Sequence, residues 1–418
     1  MTPSRALIVG SGGREHALAW RLERDGVEVV VAPGNGGTRR NAAVSLSHVA
    51  SIVALAQRER VDLTIVGPEA PLAAGLVDAF DAAGLAVFGP TRAAAQLEWS
   101  KVFSKDFFNR HGLPTARAEV VSDERGARAA IARLGLPLVL KADGLAAGKG
   151  VFVAHDAGAV ENALDHLFRR QTLGSAAQQV LVEEYLDGPE LSVLALTDGE
   201  RLALLPPARD YKRLRDGDGG PNTGGMGGLT WPAYATSELL DQVECEILKP
   251  TLTGMAAEGN PYRGVLYAGL MLTSSGPKVL EFNCRFGDPE CQLILPLLQS
   301  SLFDACASIA AGTFDPAAMR FAEGRTYGVV LAAPGYPEAP RLGLTIHGLD
   351  AVGPNVQVFH AGTARGDNGQ VVTAGGRVLT VVGSDLASVY RAADLIQFDG
   401  KQLRRDIGVE RVAAGVSA

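Results

Sequence analysis

A carboxylate, an amide and a guanidinium occupy alternate positions in the stretch LEFNCRFGDPE. Neighbouring side chains of a β-strand point to opposite faces, so Glu281, Asn283 and Arg285 would share one face. Two oxygen ligands beside an arginine suit Mg²⁺ that bridges phosphates, with the guanidinium neutralising a phosphoryl group in transfer. A polar strand face in solvent is the plainer interpretation. The Gly-Asp-Pro turn favours the metal site, because it lifts Asp288 and Glu290 to the same rim.

A glycine-rich loop with lysines at both ends separates two apolar runs in PLVLKADGLAAGKGVFVA, residues 137–154. Gly144 and Gly148 are three residues apart and Lys149 precedes a glycine, unlike the Walker phosphate loop. The flanks are aliphatic and of strand length, so we predict strand–loop–strand. Such a hairpin can cover a polyphosphate as a flap, with backbone N–H groups and the charges of Lys141 and Lys149 facing it. A flexible surface hairpin with solvated lysines fits this segment equally well.

The stretch GSGGREH, residues 10–16, resembles a dinucleotide-binding fingerprint. Glu15 stands where the third glycine is needed, however, and no acidic residue ends the second predicted strand. We therefore predict a phosphate seat at a helix N-terminus, with Arg14 close enough to pair with the anion. A tight strand–helix turn without a ligand is the alternative.

Two further stretches offer groups for small-molecule recognition. Glu183 and Glu184 follow an apolar run in VLVEEYLDGPE, where extended backbone can pair with an adenine edge and Glu190 can accept hydrogen bonds from ribose hydroxyls. Acidic residues after a strand are common on surfaces, so this stretch alone is weak evidence. In DGDGGPNTGGMGG, Asn222 and Thr223 offer hydrogen bonds beside a permissive backbone. The position between two strands favours a substrate-binding loop over a plain linker.

Composition narrows the class of protein. With 418 residues, 47% hydrophobic and 20% charged, the chain can bury a sizeable core and form about three domains. Its net charge of −7 does not indicate the excess of basic residues that binding to nucleic acid or an anionic membrane requires. No apolar run reaches membrane-spanning length and no secretory signal is recognisable, so we expect a cytoplasmic protein. The four cysteines form no C-x-x-C pair, and we expect reduced, buried side chains.

The chemistry-bearing residues require a multidomain scaffold of α/β and α+β type. Residues 4 to about 90 alternate apolar runs with helical segments, which is typical of a parallel α/β sheet. The carboxyl ends of its strands would place residues 10–16, 33–38 and 67–71 on one rim. Strands predominate again after about residue 322. We predict domains over residues 1–100, 101–320 and 321–418, with a flap subdomain over about 115–190.

These motifs together resemble the phosphoribosylamine–glycine ligase (glycinamide ribonucleotide synthetase) family of ATP-grasp enzymes. GGREHALAW, APGNGGT, TIVGPEAPL, KADGLAAGKGV, GPNTGGMG, LYAGLM and EFNCRFGDPE occur in family order and spacing along nearly the whole chain. The resemblance implies an N-terminal pre-ATP-grasp domain, an ATP-grasp domain with a flap subdomain and a small, mostly β C-terminal domain. It also implies purine-biosynthetic ligation of glycine to 5-phosphoribosylamine with ATP as cosubstrate, through a glycyl phosphate.

The resemblance further implies roles for individual residues. Glu281 and Asn283 would hold Mg²⁺ or Mn²⁺, and Arg285 and Lys149 would act in catalysis. The residues implied for ATP binding are Lys101, Lys141, Gly144, Gly148, Lys149, Glu183, Glu184, Leu186 and Glu190. Those implied for substrate binding are Gly12, Gly13, Arg14, Glu15, Glu69, Asn222, Thr223, Gly224, Gly225, Met226, Arg285 and Pro289. From their negative charge we add Asp210, Asp288 and Glu290 as residues that would bind the glycine ammonium. We expect a monomer or weak dimer with small-molecule substrates and no nucleic-acid or membrane partner.

The chain departs from related patterns at a few positions. Many other ATP-grasp enzymes carry a second metal-binding glutamate where this chain has Gly269, which leaves the ligation of a second metal ion open. A histidine is expected near Tyr211 and a threonine at Gly219. These differences concern substrate positioning rather than the class of reaction.

Overall fold

The computed structural model describes residues 3–144, 150–170, 172 and 174–409. Its first region contains a four-stranded sheet in the order β2-β1-β3-β4, and every strand pair is parallel. The strands are β1 (Arg5–Gly10), β2 (Glu28–Pro33), β3 (Leu63–Val66) and β4 (Val87–Phe88). The helices are α1 (Gly13–Arg24), α2 (Val49–Glu59), α3 (Glu69–Ala73), α4 (Leu76–Ala82) and α5 (Gln96–Trp99). The predicted parallel α/β sheet is confirmed.

The loops after the first three strands meet at one edge of this sheet. The Gly34 amide donates to the carbonyl of Gly10 over 3.1 Å, and the Gly67 amide donates to the carbonyl of Val9 over 3.0 Å. Both contacts lie where the parallel strands end. The prediction that the three glycine-rich loops share a rim is therefore confirmed.

A second, antiparallel sheet has the order β5-β8-β6-β7. Its strands are β5 (Ala118–Val121), β6 (Leu138–Ala142), β7 (Val151–Ala154) and β8 (Val180–Glu184), and the helices around it are α6 (Lys101–Arg110), α7 (Glu124–Leu134) and α8 (Ala157–Leu164). Because β6 pairs with β7, the strand–loop–strand prediction is confirmed. Gly148 and Lys149, which were predicted to face phosphate, lie outside the described residues.

The largest sheet has nine antiparallel strands, eight of them in the order β16-β15-β9-β11-β14-β17-β21-β18, with β10 paired to β9. They are β9 (Glu190–Thr197), β10 (Leu202–Leu204), β11 (Ala208–Asp210), β14 (Gly227–Thr230), β15 (Gly264–Thr273), β16 (Gly276–Asn283), β17 (Tyr327–Ala332), β18 (Gln357–His360) and β21 (Arg377–Gly383). Two ribbons stand apart, β12 (Arg213–Arg215) with β13 (Gly219–Asn222) and β19 (Thr363–Arg365) with β20 (Val371–Thr373). The remaining helices are α9 (Ser237–Val243), α10 (Lys249–Ala257), α11 (Glu290–Ile294), α12 (Leu302–Ala310) and α13 (Leu386–Leu395).

Three C-terminal strands, β17, β18 and β21, join the large sheet, whereas β19 and β20 pair with each other. β17 pairs with β14, and β21 and β18 follow it, so the mostly β C-terminal region extends the large sheet. A shared core also joins the first region to this sheet, since Leu7 and Phe80 pack in the same buried cluster as Leu266 and Phe282. The three parts of the chain are thereby fixed around the strand that carries Glu281.

The cysteines depart in part from expectation. All four are free thiols, as predicted, but Cys245 is exposed while Cys284, Cys291 and Cys306 are buried. Cys245 lies just beyond the end of α9, so the prediction that it is a buried hydrophobe is wrong. Within the described ranges, no helix is long and apolar enough to cross a membrane.

Candidate active site

Strand β16 presents its polar side chains to the site and its apolar side chains to the core. Phe282 and Cys284 are at most 2% exposed, whereas Glu281 and Asn283 are partly accessible. Gly269 on β15 lies directly opposite Glu281, and a Cβ there would come within 3.5 Å of the Glu281 side chain. The alternation predicted from sequence places the acid and the amide together on one face.

Three lysines act electrostatically on the Glu281 carboxylate. Burial by itself would raise the pKa of Glu281, but the charges of Lys212, Lys101 and Lys141 outweigh it and hold this pKa below its usual value. The lysines come from three separate parts of the chain, namely the strand β6, the start of α6 and the turn after β11. An anionic oxygen ligand set among cations is a suitable environment for a polyphosphate with a bound metal ion.

Lys212 was not predicted as a site residue. Its ammonium lies 2.7 Å from the Glu190 carboxylate. Burial opposes its charge, but Glu190 and Glu281 outweigh that effect and raise the pKa of Lys212 well above the usual value. In the sequence, Lys212 belongs to the basic cluster ARDYKR. That cluster does not indicate which way the side chain points. Glu190, for which the sequence predicted contacts with ribose, therefore forms an ion pair with this lysine.

Arg285 is held by a network of acceptors. Its guanidinium lies 2.8 Å from Glu98, 3.4 Å from Glu69 and 2.9 Å from the side-chain oxygen of Asn283. Glu98 also accepts a hydrogen bond of 2.7 Å from the backbone of Cys284. Glu98 was not predicted, although AAQLE lies in a stretch that resembles the family. The structure thus joins the predicted metal pair to the predicted catalytic arginine.

The Glu183 carboxylate lies at the base of the flap between two lysines. It is 2.8 Å from the ammonium of Lys105 and 2.6 Å from that of Lys141. Its strand β8 has neighbours on both sides, so the backbone at Glu183 is not an open edge of the kind predicted for adenine. Glu184 forms an ion pair of 2.8 Å with Arg117. Lys105 is a further residue that the sequence reasoning missed.

The remaining residues of the predicted nucleotide site lie on α6 and on the segments that follow β6 and β8. Lys101 begins α6, and its backbone amide donates to the carbonyl of Asp143 over 3.4 Å. Leu186 is buried in the connection between β8 and β9, and Gly144 is the last described residue before the gap at 145–149. The described residues therefore place both ends of the glycine loop beside the Lys141 end of β6.

At the rim, the amides that begin α1 already donate to carboxylates. The Gly12 amide donates to Glu15 over 2.5 Å, and the Arg14 amide donates to Asp288 over 3.1 Å. The Arg14 side chain is 7% exposed, and its Nε lies 2.6 Å from Glu15. Gly13 faces Gln292, whose amide nitrogen lies 2.5 Å from the position of an added Cβ. The predicted phosphate seat thus contains carboxylates as well as amide donors. A bound anion must either displace the carboxylates of Glu15 and Asp288 from these amides or bind next to them.

A buried acidic pocket lies beside this rim. Glu290 is 2% exposed and accepts hydrogen bonds from Tyr267 over 2.7 Å and Ser192 over 3.0 Å. Within the described part of the chain, one buried carboxylate oxygen of Asp210 has no hydrogen-bond partner. Burial, together with the charge of Glu290, raises the pKa of Asp210 well above its usual value. Two close carboxylates, one with an unfilled acceptor, are suited to bind a cation such as an ammonium group.

Gly225 closes one wall of the acidic pocket. It has a φ of +111°, and a Cβ at this position would come within 2.5 Å of Asp210 and 2.8 Å of Pro289. The Gly225 amide donates to the Thr223 hydroxyl over 3.0 Å, and that hydroxyl donates to the carbonyl of Lys212 over 2.9 Å. Met226 is fully buried. The segment is a shaped wall of the site, in contrast to the flexible linker that was the alternative.

Two side chains from the C-terminal region complete this side of the site. Arg377 donates to the carbonyls of Gly224 and, over 2.7 Å, Asp288. The Gly224 amide donates to the hydroxyl of Tyr336 over 3.0 Å. Burial would raise the pKa of Asp288, but the charges of Arg377 and Arg14 lower it. No motif predicted that Arg377 and Tyr336 would lie here. Asn222 of the predicted loop is exposed at the end of β13.

Comparisons with known proteins agree over all three regions. Residues 4–98 match the N domain of phosphoribosylglycinamide synthetase, residues 99–291 its ATP-grasp (A) domain and residues 326–410 its C domain. A phosphoribosylamine–glycine ligase from Xylella fastidiosa strain 9a5c is 49% identical over 399 residues, 93% of this chain and 91% of that protein. The trifunctional purine biosynthetic protein adenosine-3 of Gallus gallus is 48% identical, over 98% of this chain and 42% of its own length.

Solved structures show the same relationship. The crystal structure of a phosphoribosylamine–glycine ligase from Thermotoga maritima has a TM-score of 0.83 and 37% identity, covering 96% of this chain and all of that one. The biotin carboxylase domain of a 2-oxoglutarate carboxylase from Hydrogenobacter thermophilus has a TM-score of 0.71 at 18% identity, over 96% of this chain and 91% of that one, and shares the fold alone. The chain therefore belongs to the phosphoribosylglycinamide synthetase family, with the N, ATP-grasp and C domains of that family in order.

Proposed function

We propose that this chain ligates glycine to 5-phosphoribosylamine with ATP, giving glycinamide ribonucleotide, ADP and phosphate. The observation that supports it best is the environment of Glu281. Its side chain shares one face with Asn283 and Arg285, and the charges of three lysines lower the pKa of its carboxylate. Membership in the family supplies the identity of the reaction. The geometry supplies a place where anionic phosphates and a carboxylate substrate can be brought together.

Mg²⁺ or Mn²⁺ fits the donors of this face. Glu281 and Asn283 offer only oxygen atoms, which both ions accept as ligands. Among the residues that the structure describes, no group of three or more His, Cys, Asp or Glu side chains could hold a metal ion. We infer that these two residues hold the ion jointly with nucleotide phosphates and water, and that the ion supplies neutralisation of phosphate charge.

Transfer of the γ-phosphoryl group is the step assigned to the cationic side of the site. A glycine carboxylate oxygen attacks the γ-phosphorus, the bond to the ADP oxygen breaks, and glycyl phosphate forms. Lys101 and Lys141 bind the phosphates, and Arg285 neutralises the group in transfer. Lys149, with Gly144 and Gly148, belongs to the proposed flap over the triphosphate. Glu184, Leu186 and Glu190 lie at the side assigned to adenosine, and Glu183 acts there through its lysines.

The second step is assigned to the rim and the acidic pocket. The amine nitrogen of phosphoribosylamine attacks the acyl carbon, phosphate leaves, and the amine gives up one proton. Asp210 and Glu290, with Asp288 close by, bind the glycine ammonium. Gly12, Gly13, Arg14, Glu15 and Glu69 position the phosphoribosyl group, and the wall formed by residues 222–226 with Pro289 orients it. These assignments follow the domain limits proposed from sequence, 1–100, 101–320 and 321–418.

A coupled ADP assay with each substrate omitted in turn tests the function. We expect ADP release only when glycine, phosphoribosylamine and ATP are all present, with alanine and bicarbonate failing to replace glycine. Hydroxylamine in place of the amine should trap the acyl phosphate as glycine hydroxamate. Equal ADP release with bicarbonate would mean that the acyl substrate is wrongly assigned.

A further inference from the structure

A cluster of three ionisable side chains is buried at the base of the flap. Lys105 of α6, Glu183 of β8 and Lys141 of β6 have side chains that are only 5%, 5% and 10% exposed. Glu183 bridges the two lysines through its separate carboxylate oxygens. Lys141 also acts electrostatically on Glu281, whereas Lys105 donates to Thr115 and Ala116.

The hydrogen bonds of the two lysines differ. The ammonium of Lys105 contacts Glu183 at 2.8 Å, the hydroxyl of Thr115 at 2.8 Å and the carbonyl of Ala116 at 3.1 Å, which uses all three of its donors. Among the residues that the structure describes, Lys141 contacts Glu183 at 2.6 Å and the carbonyl of Leu280 at 3.2 Å, which leaves one donor for a ligand. Lys105 is therefore fixed by protein groups alone.

The charges of the cluster do not cancel. Burial would raise the pKa of Glu183, but Lys141 and Lys105 outweigh it and lower this pKa, so the carboxylate is ionised. Burial lowers the pKa of Lys105 against the opposing charge of Glu183. With both lysines protonated, two ammonium groups and one carboxylate leave one positive charge. Without Lys105, Glu183 and Lys141 would form a neutral buried pair. The charge of Lys141 would then be largely neutralised by Glu183, and its attraction for a bound anion would be weaker.

The same cluster connects the flap to the metal-bearing strand. Thr115, which receives a hydrogen bond from Lys105, donates to the carbonyl of Val279 over 2.8 Å. Lys141 donates to the next carbonyl along that strand, Leu280, which directly precedes Glu281. The position of Lys141 relative to Glu281 thus depends on contacts that converge on Lys105 and Glu183.

We propose that Lys105 is a positioning residue for nucleotide binding. It neutralises and orients Glu183, so that Lys141 keeps one donor and a net positive charge for the phosphates of the nucleotide. This inference rests on the phosphate-binding role proposed above for Lys141. Lys105 itself touches neither substrate nor reacting atoms.

Isothermal titration of the full-length protein with ADP in excess Mg²⁺ tests this role. Lys105→Met should weaken binding at least about tenfold, because Glu183 then competes for Lys141 without compensation. The double variant Lys105→Met/Glu183→Gln should recover most of the affinity, because it removes that competing charge and restores one net positive charge. Arg110→Met is the matched control, since it removes a 48%-exposed cation from the same helix α6 and should bind ADP normally.

Three further results separate the possible failures. A merely structural Lys105 would make the double variant as weak as Lys105→Met or weaker, which would overturn the proposal. If Lys105→Met binds ADP normally and Lys141→Met binds it weakly, only the role of Lys105 is overturned. If Lys141→Met also binds ADP normally, the phosphate-binding role of Lys141 is overturned as well. Where Lys105→Met does not fold, Glu183→Gln decides, since the proposal expects affinity at least equal to that of the unsubstituted chain and fails if binding drops as in Lys141→Met.

Discussion

The guanidinium of Arg285 lies 2.8 Å from the carboxylate of Glu98, a side chain that is 7% exposed. Glu98 belongs to the short helix α5 that ends the first region, whereas Arg285 follows the metal-bearing strand β16. Burial raises the pKa of Glu98, although the charge of Arg285 opposes this. The Glu98 carboxylate contacts the Arg285 guanidinium and accepts a hydrogen bond from the Cys284 amide. The contact links the first region to the arginine proposed to neutralise the transferring phosphoryl group.

Replacing Glu98 by glutamine should lower kcat about tenfold or more. The amide keeps the size of the side chain but removes the charge that holds Arg285, leaving Glu69 as its remaining anionic partner at 3.4 Å. The Michaelis constant for ATP should change less than threefold in the same steady-state assay. A kcat equal to that of the unsubstituted chain would show that Glu98 does not orient Arg285.

Glu281→Gln should reduce turnover on the order of 100-fold or more and raise the Mg²⁺ concentration needed for half-maximal rate. The change removes a proposed metal ligand together with the negative charge that the neighbouring lysines stabilise, so thermal stability should fall slightly. Glu244→Gln, which breaks only a surface ion pair with Lys249, is the matched control. A near-normal rate for Glu281→Gln in saturating Mg²⁺ would remove the metal assignment.

Arg14→Ala should raise the Michaelis constant for phosphoribosylamine more than that for ATP. The Arg14 side chain pairs with Glu15 at the rim, and the Arg14 backbone amide donates to Asp288. Because a buried ion pair is broken, stability should also fall by roughly 3 kcal/mol. Arg21→Ala removes another buried ion pair from the same helix, with Asp25, and controls for that loss. Equal increases in both constants for Arg14→Ala would place the phosphate seat elsewhere.

A histidine pair predicts an acid-sensitive contact between the first and last regions. The backbone amide of His360 donates to Nδ1 of His16 over 2.8 Å. Burial, with a smaller effect of His360, lowers the pKa of His16 to about 3, and burial with Arg365 lowers that of His360 to about 4. Both groups are neutral in the folded protein, and they take up protons on unfolding below the ordinary histidine pKa of about 6.5.

Stability from this pair is therefore complete above about pH 6.5 and is lost as the pH falls towards 4. One such histidine should cost roughly 2–3 kcal/mol of unfolding free energy between pH 6.5 and 4.5. His16→Asn keeps an acceptor for the His360 amide and removes the titration, so its unfolding free energy, measured by urea denaturation, should fall less steeply over that range. Parallel pH profiles for the two proteins would contradict the assignment.

Local periodicity was enough to predict the strands and the face of β16. An alternation of polar and apolar residues determines which side chains share a face, and this placed Glu281 with Asn283 and predicted burial of Phe282. Glycine punctuation likewise predicted the parallel sheet and the hairpin around the flap. In each case the information lies within a few consecutive residues.

The partners of these residues could not be predicted in the same way. Glu98, Lys105, Lys212 and Arg377 reach the site from elements far away in sequence, and only tertiary packing brings them together. The two lysines around Glu183 could not be predicted either, since a strand-end acid looks the same in sequence whether it faces solvent or two lysines. The addition of β17, β21 and β18 to the large sheet is likewise a long-range pairing that no short motif encodes.

The seam between β14 and β17 determines how the chain can be divided. Residues 227–229 pair with residues 327–329, and every strand beyond this seam depends on that pairing for its place in the sheet. A polypeptide cut near residue 325 would leave an unprotected sheet edge on each fragment, which invites aggregation. The ATP-grasp and C-terminal thirds should consequently melt in one cooperative transition, and chimaeras that exchange the last third between homologues will fold only when both sides of this seam are matched.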